Sequence, residues 1–191
     1  MQQQTKYTKI ITLSNRKRNI SYLLLLFFTA SLLSAQKWET PIIEGYGGVQ
    51  YDPAYEEAFS PDENYKLLFD VTSSGKKDGV NRGLWRVART LNLMAACGVP
   101  KENIEVVVAL HGGATKVALS DTAYQEIFEK ANPNAVLLSQ LAENGVSLFV
   151  CAQAMVGRSY PLDQLYPSVR LALSALTVVA NYQKKGFILI P

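Results

Sequence analysis

Histidine is almost missing from this 191-residue chain: there is one, His111, and only two cysteines, Cys97 and Cys151. A structural zinc site needs four such ligands at close spacing, so zinc is excluded and no metal is expected. The apolar stretch from Tyr22 to Leu33 is interrupted by Thr29 and Ser31, well short of the ~20 residues a bilayer-spanning helix needs. Excess charge is scarce as well. The chain carries +3, but five of its 19 basic residues and none of its acids fall in residues 1–35, so the remainder carries −2. Without a Lys/Arg stripe the electrostatic footprint of nucleic-acid binding is absent, and that class is excluded.

What is present begins with an address. Arg16-Lys17-Arg18, the apolar core from Tyr22 to Leu33 and the small residues Ser34-Ala35 form the pattern of a secretory signal peptide over residues 1–35. A periplasmic or secreted protein is expected, with no membrane contact once the signal is cleaved. Residues 36–63 show little periodicity and are punctuated by proline and glycine. They nevertheless hold Trp38, Tyr46, Tyr51, Tyr55 and Phe59. Disordered linkers are poor in aromatics, so this stretch is expected to lie as a strap, on its own domain or on a neighbouring subunit.

From residue 64 onward apolar runs alternate with helical stripes. Tyr65 to Val71, Ile104 to Leu110, Val146 to Cys151 and Phe187 to Ile190 read as strands, nearly continuous in apolar character as strands buried on both faces are. Ser73 to Gly79 reads as a polar loop. Leu84, Val87, Ala88, Leu91 and Met94 recur at helical spacing, and Arg82, Arg86 and Arg89 fall mostly off that stripe, as a solvated face would. Gly98 and Pro100 end the helix. Asp121 to Lys130 predicts a short helix. Asn132-Pro133 predicts an N-cap and first position of the next, which runs to Glu143. The spacing of Val169, Leu173, Leu176 and Val179 predicts a long helix from near Pro167 to Lys184.

Strands alternating with helices argue for an α/β domain with a largely parallel sheet. Ligands of such sheets bind outside the carboxyl ends of the strands. That edge gathers Asp70 to Ser74, His111 to Ala114 and Cys151 to Gln153. Cys97 closes a crossover helix and belongs at the opposite edge, about 20 Å away. A disulfide needs Cα atoms within about 7 Å, so no Cys97–Cys151 bridge is expected and Cys97 reads as a small packing residue.

Several segments, in order, resemble the DsrE-like (DsrE/DsrF/YchN-like) family. They are Leu91-Asn-Leu with Cys97-Gly-Val, Val107 to Thr115, Asn132-Pro-Asn134, Gly145 to Gln153 and Ala172 to Thr177. The likeness covers about residues 64–191 and is closest to the exported branch. It implies a three-layer α/β/α, flavodoxin-like fold, for which a sheet of about five strands is expected, and often a homo-oligomer. In the cytoplasmic members of that family a cysteine accepts and passes on sulfur as a persulfide. Cys151 occupies a comparable strand-end position, in Cys-Ala-Gln where Cys-Gly-Gln is expected of close relatives.

Sulfur chemistry runs through the thiolate, which requires access and a pKa lowered by positive charge or oriented backbone donors. His111, Arg158, Lys116 and Lys76 are the sequence candidates for such perturbers, and His111 also for the base that takes the thiol proton. Spacing alone supplies no carboxylate to orient His111; Asp70 is the nearest. Gly112, Gly113, Thr115, Gln153 and Arg158 are candidate binding residues around the thiol. Gly112-Gly113 is neither a GxGxxG fingerprint nor a Walker loop, so no nucleotide or other cofactor is expected. Two functions follow. One is a periplasmic protein that binds small sulfur species or transfers them to an acceptor thiol through a Cys151 persulfide. The other is a non-catalytic binding or assembly module in which Cys151 is structural.

Overall fold

Tyr65–Val71 (β1) and Ile104–Leu110 (β4) fall where their apolar runs predict. They pair in parallel from Tyr65 opposite Ile104 to Val71 opposite Leu110. The computed structural model describes residues 38–191; the expected signal peptide over residues 1–35 and the first two strap residues lie outside the described residues. Ser147–Cys151 (β5) adds to β4, Val169–Ala172 (β6) adds to β5, and Ile188–Ile190 (β7) returns to the far side of β1. All four pairings are parallel, giving the order β6-β5-β4-β1-β7. Between β1 and β4, the expected loop Ser73 to Gly79 holds the first strand and the turn of a small hairpin, Lys76–Lys77 (β2), which pairs with Val80–Asn81 (β3) just beyond it. Its two turn residues, Asp78 and Gly79, have φ of +49° and +83°, as a tight hairpin turn of the matching twist requires.

Strand side chains alternate faces, and the core divides accordingly. Leu67, Phe69, Val71, Val106, Val108, Leu110, Leu148 and Val150 face one large cluster. It is covered by Arg82–Ala96 (α1), Asp121–Phe128 (α2) and Ala135–Glu143 (α3). Leu68, Val107, Ala109 and Cys151 face the other way, onto a smaller cluster with Ala175 and Val178 of the helix Ala175–Lys184 (α5). The short helix Ala152–Val156 (α4) follows directly on β5. The sheet with helices on both faces is the three-layer α/β/α arrangement.

The long helix expected from Pro167 is a strand followed by a shorter helix. Val169 to Ala172 pairs with Leu148 to Cys151, and α5 starts only at Ala175. The helical spacing of Val169, Leu173 and Leu176 was a coincidence: Leu173 and Leu176 are 69% and 78% exposed, and Ala175 and Val178 are the buried pair. Ser174 supplies the start. Its hydroxyl accepts from the Leu176 amide, while its own amide donates to Thr177 Oγ1, a reciprocal cap.

Asn132 is likewise no helix cap. The helix begins at Ala135, and the buried Asn132 amide turns inward to donate to the carbonyls of Val117 and Leu119. Asn134 Oδ1 accepts from the Asn81 amide at 2.7 Å, so two asparagines tie three loops together.

The strap lies on its own domain. Ile43 is fully buried in the main cluster. Asn92, also fully buried on α1, accepts from the amides of Ile42 and Ile43 and donates to the carbonyls of Tyr46 and Gly47. Nor is the arginine face of α1 simply solvated. Arg89 donates twice to Gly48 O and lies against the rings of Trp38 and Trp85. Gly47 comes so close to α1 that a Cβ would stand 2.2 Å from the Arg89 amide nitrogen; only glycine fits there.

Candidate functional site

The carboxyl edge of the sheet assembles three polar side chains on the α5 face. Asp70 pairs with Ala109 in register, and Cys151 ends β5 one step beyond the Leu110–Val150 pair. His111 continues the pleat with extended backbone (φ −156°, ψ −170°). It therefore continues the face of Ala109, which also carries Asp70 and Cys151.

The pair that forms is His111 with Asp70: His111 Nε2 lies 2.6 Å from Asp70 Oδ1. A carboxylate only accepts, so Nε2 carries the proton and Nδ1 is the nitrogen left to exchange one. Asp70, the nearest carboxylate from the sequence, is the residue that orients the imidazole.

Cys151 is 6% exposed and sits at the start of α4, with the cap of α5 against it. Its Sγ lies 3.9 Å from Ser174 Oγ. Burial pushes the thiol pKa up, but the amides of Ala175 and Ala154, the Ser174 hydroxyl and the Gln153 amide act together against it, and the net result is a lowered pKa. Amide protons converging on one sulfur stabilise the anion just as they would an oxyanion. The lowering therefore comes from fixed dipoles, not from the four candidate perturbers. Arg158 is exposed and donates to Ala154 O, Lys116 lies over the Phe128 ring, and Lys76 stands in the β2–β3 hairpin.

The remaining candidate binding residues have local duties. Thr115 is fully buried and donates to Gly112 O at 2.8 Å, so it cannot reach a ligand. Gly112 and Gly113 press on the loop after β1. A Cβ on either would stand 2.9 Å from Thr72 O or Ser74 N respectively, and the Ala114 amide donates to Thr72 O. The diglycine is thereby explained as close loop packing. Gln153 is exposed; its side chain reaches Leu173 O at 3.4 Å, and its backbone amide faces the sulfur. Ala152 begins α4 and is not among the positive-φ residues, so alanine is accommodated there without strain. Both cysteines are free, with Cys97 half-buried at the end of α1.

Two features escaped sequence reasoning. Ser174 was legible as the first residue of Ser-Ala-Leu-Thr, a capping pattern, but not as a neighbour of Cys151. The other is a cavity of about 120 Å³ at the carboxyl end of β1, lined by Asp70, Thr72, Ser73, Arg82 and Arg86. Among the described residues no group of His, Cys, Asp and Glu is placed to hold a metal ion.

Comparison with known proteins gives a family and a fold. The family described as DsrE/DsrF-like matches residues 66–191. A solved structure, the protein of unknown function MTH1491 from Methanobacterium thermoautotrophicum, matches with a TM-score of 0.51 at 20% identity, over 66% of this chain and 98% of that one. At that identity the likeness is one of fold. Comparison with curated proteins gave no match.

Proposed function

This chain belongs to the DsrE/DsrF-like family, and on that premise we propose that it binds or transfers small sulfur species through a persulfide on Cys151. The observation that carries the reading is a shielded strand-end thiol whose Sγ lies 3.9 Å from Ser174 Oγ, where the Ser174 hydroxyl and the amides of Ala175, Ala154 and Gln153 outweigh burial and lower the thiol pKa. Such a site favours RS⁻ over RSH, and favours the persulfide anion for the same reason.

The Cys151 thiolate attacks the sulfane sulfur of a donor. The new S–S bond forms as the donor's bond to that sulfur breaks, and the leaving group departs with the electron pair. An acceptor thiolate then takes the outer sulfur, and Cys151 is returned as thiolate. His111, oriented by Asp70, is the candidate base for the thiol proton, through Nδ1. The basic and apolar pattern of residues 1–35 supports export, which places these exchanges in the periplasm or outside the cell. An uncapped thiolate there is open to oxidation, and the low exposure of Cys151 limits that loss.

A second reading has its own observation. Leu173 and Leu176, 69% and 78% exposed, flank Ser174, the neighbour of Cys151, and give an apolar surface of the kind on which copies of an assembly module meet. This surface also suits the homo-oligomer that the family likeness suggests.

Intact mass separates the two. The folded protein and Cys151→Ser are treated with a polysulfide and, separately, with an alkylating reagent. A carrier gains multiples of the sulfur mass at Cys151 and is alkylated there at neutral pH faster than a free thiol. Labelling of Cys151 only after denaturation, with no added sulfur, rules the carrier out and leaves the assembly module.

A further inference from the structure

We infer that Ser174 is a positioning residue for Cys151: the hydroxyl that caps α5 accepts from the thiol and, once the thiol ionises, turns its own proton to the sulfur, so one side chain both starts the helix and stabilises the anion. This rests on Cys151 being the reactive thiol proposed above.

The geometry begins with the sheet. Cys151 pairs with Ala172, so Ser174, two residues further along, returns to the same face just beyond the strand end. Its backbone is fixed from both sides by Thr177, whose Oγ1 accepts from the Ser174 amide at 3.3 Å and whose hydroxyl donates to Ser174 O at 2.7 Å. Ser174 Oγ accepts from the Leu176 amide at 3.2 Å. A hydroxyl has one proton to place, and an oxygen accepting from an amide on one side turns that proton elsewhere. The thiol of Cys151 donates to this oxygen across 3.9 Å; once ionised the sulfur can only accept, and the hydroxyl proton then has it as a partner.

The amide of Ala175, the next residue, also favours the ionised thiol. Two consecutive residues of one anchored turn therefore favour the anion. The nearby cations are engaged elsewhere, Arg158 at Ala154 O and Lys116 over the Phe128 ring. With dipoles alone to hold the charge, each donor matters more than it would beside a lysine.

Cap and donor are separated by three substitutions in the full chain. Ser174→Gly keeps most of the capping preference but has no hydroxyl. Ser174→Asp is a strong cap that puts a negative charge beside the sulfur. Ser174→Thr keeps both roles. Ionisation is read from the ultraviolet absorbance of the thiolate, as the difference between each protein and its Cys151→Ser counterpart, with thermal melting followed in parallel. We expect Ser174→Gly to raise the titration midpoint and lower the thiolate fraction at neutral pH about three- to tenfold. Ser174→Asp should raise it further while melting like the wild type, and Ser174→Thr should restore the wild-type midpoint.

Midpoints that coincide across the glycine, aspartate and serine proteins, or that simply follow the melting temperature, overturn the inference. Absorbance reads ionisation, not reaction, so the two ideas fail separately. A midpoint that moves in a protein that takes up no sulfur ends the carrier reading alone. Sulfur uptake with an unmoved midpoint ends the role of Ser174 alone.

Discussion

Asp70 and His111 are bound across two strands: the last polar side chain of β1 holds the imidazole that follows β4, Oδ1 to Nε2, at 2.6 Å. The partners are 41 residues apart in sequence, and only the parallel pairing of β1 with β4 brings them together. The contact leaves the ring a single orientation and a single free nitrogen.

Asp70→Asn tests what that orientation does. The amide fits the same space but can turn its NH₂ toward the ring, so the imidazole loses its fixed acceptor. Both side chains are roughly one-third exposed, and a loss of about 1 kcal/mol in stability is expected. If His111 takes the Cys151 proton, alkylation of Cys151 at neutral pH slows in Asp70→Asn and slows as much in His111→Ala. Equal rates in all three proteins remove His111 from the chemistry and leave it as an edge clasp.

The lowered pKa of Cys151 ties stability to pH. Folding holds the thiol below its ordinary value, so between the folded and unfolded pKa the unfolded chain binds more protons and stability rises with pH. This increment is complete above the unfolded thiol value of about 8.5 and is lost as pH falls through the folded value. Unfolding free energies of the wild type, relative to Cys151→Ser, should climb toward that pH and then level off. A difference that is flat throughout means that the thiol is not perturbed.

Asn92 predicts the cost of releasing the strap. Asn92→Ala strips the partner from the buried amides of Ile42 and Ile43 and the carbonyls of Tyr46 and Gly47. At about 1–3 kcal/mol for each group left buried and unpaired, with part of the strap lifting to find water, a loss of about 3 kcal/mol is expected. Limited proteolysis should then cut near residues 40–48, while the sheet domain persists. Cleavage no faster than in the wild type would place the strap's anchorage on Ile43 and Arg89 instead.

The leucine surface predicts association. Leu176→Glu puts a charge at a position that is 78% exposed in one chain, so the folded monomer should tolerate it within about 0.5 kcal/mol. If copies meet at this surface, sedimentation shows the variant as a smaller species than the wild type. The same mass for both excludes this face as the contact between copies.

The sequence disclosed most where burial dictates the pattern. β1 and β4 are central strands, covered on both faces, and their apolar runs can be read in no other way. β6 is a four-residue edge strand, too short for alternation to register, and exposed leucines beyond it imitate a helical stripe. The site was legible in its address but not in its electrostatics. His111 and Cys151 could be brought to one edge by counting strands. The donors at the sulfur are mostly backbone amides, and every residue but proline has one, so residue type cannot announce them. Asn92 escaped for a related reason: one polar residue in an apolar stripe looks like an interruption until the loop it holds is seen.

The sheet order also sets a schedule. β1, β4, β5 and β6 can add one beside another as the chain lengthens, while the cover of the face bearing Leu68, Ala109 and Cys151 comes from α5 near the end of the chain. Contacts between distant segments form late. Until they form, the thiol lies on a bare apolar face without Ser174 or the Ala175 amide to tune it. The shelter of Cys151 and the hydroxyl beside it thus come from the same late segment of the chain.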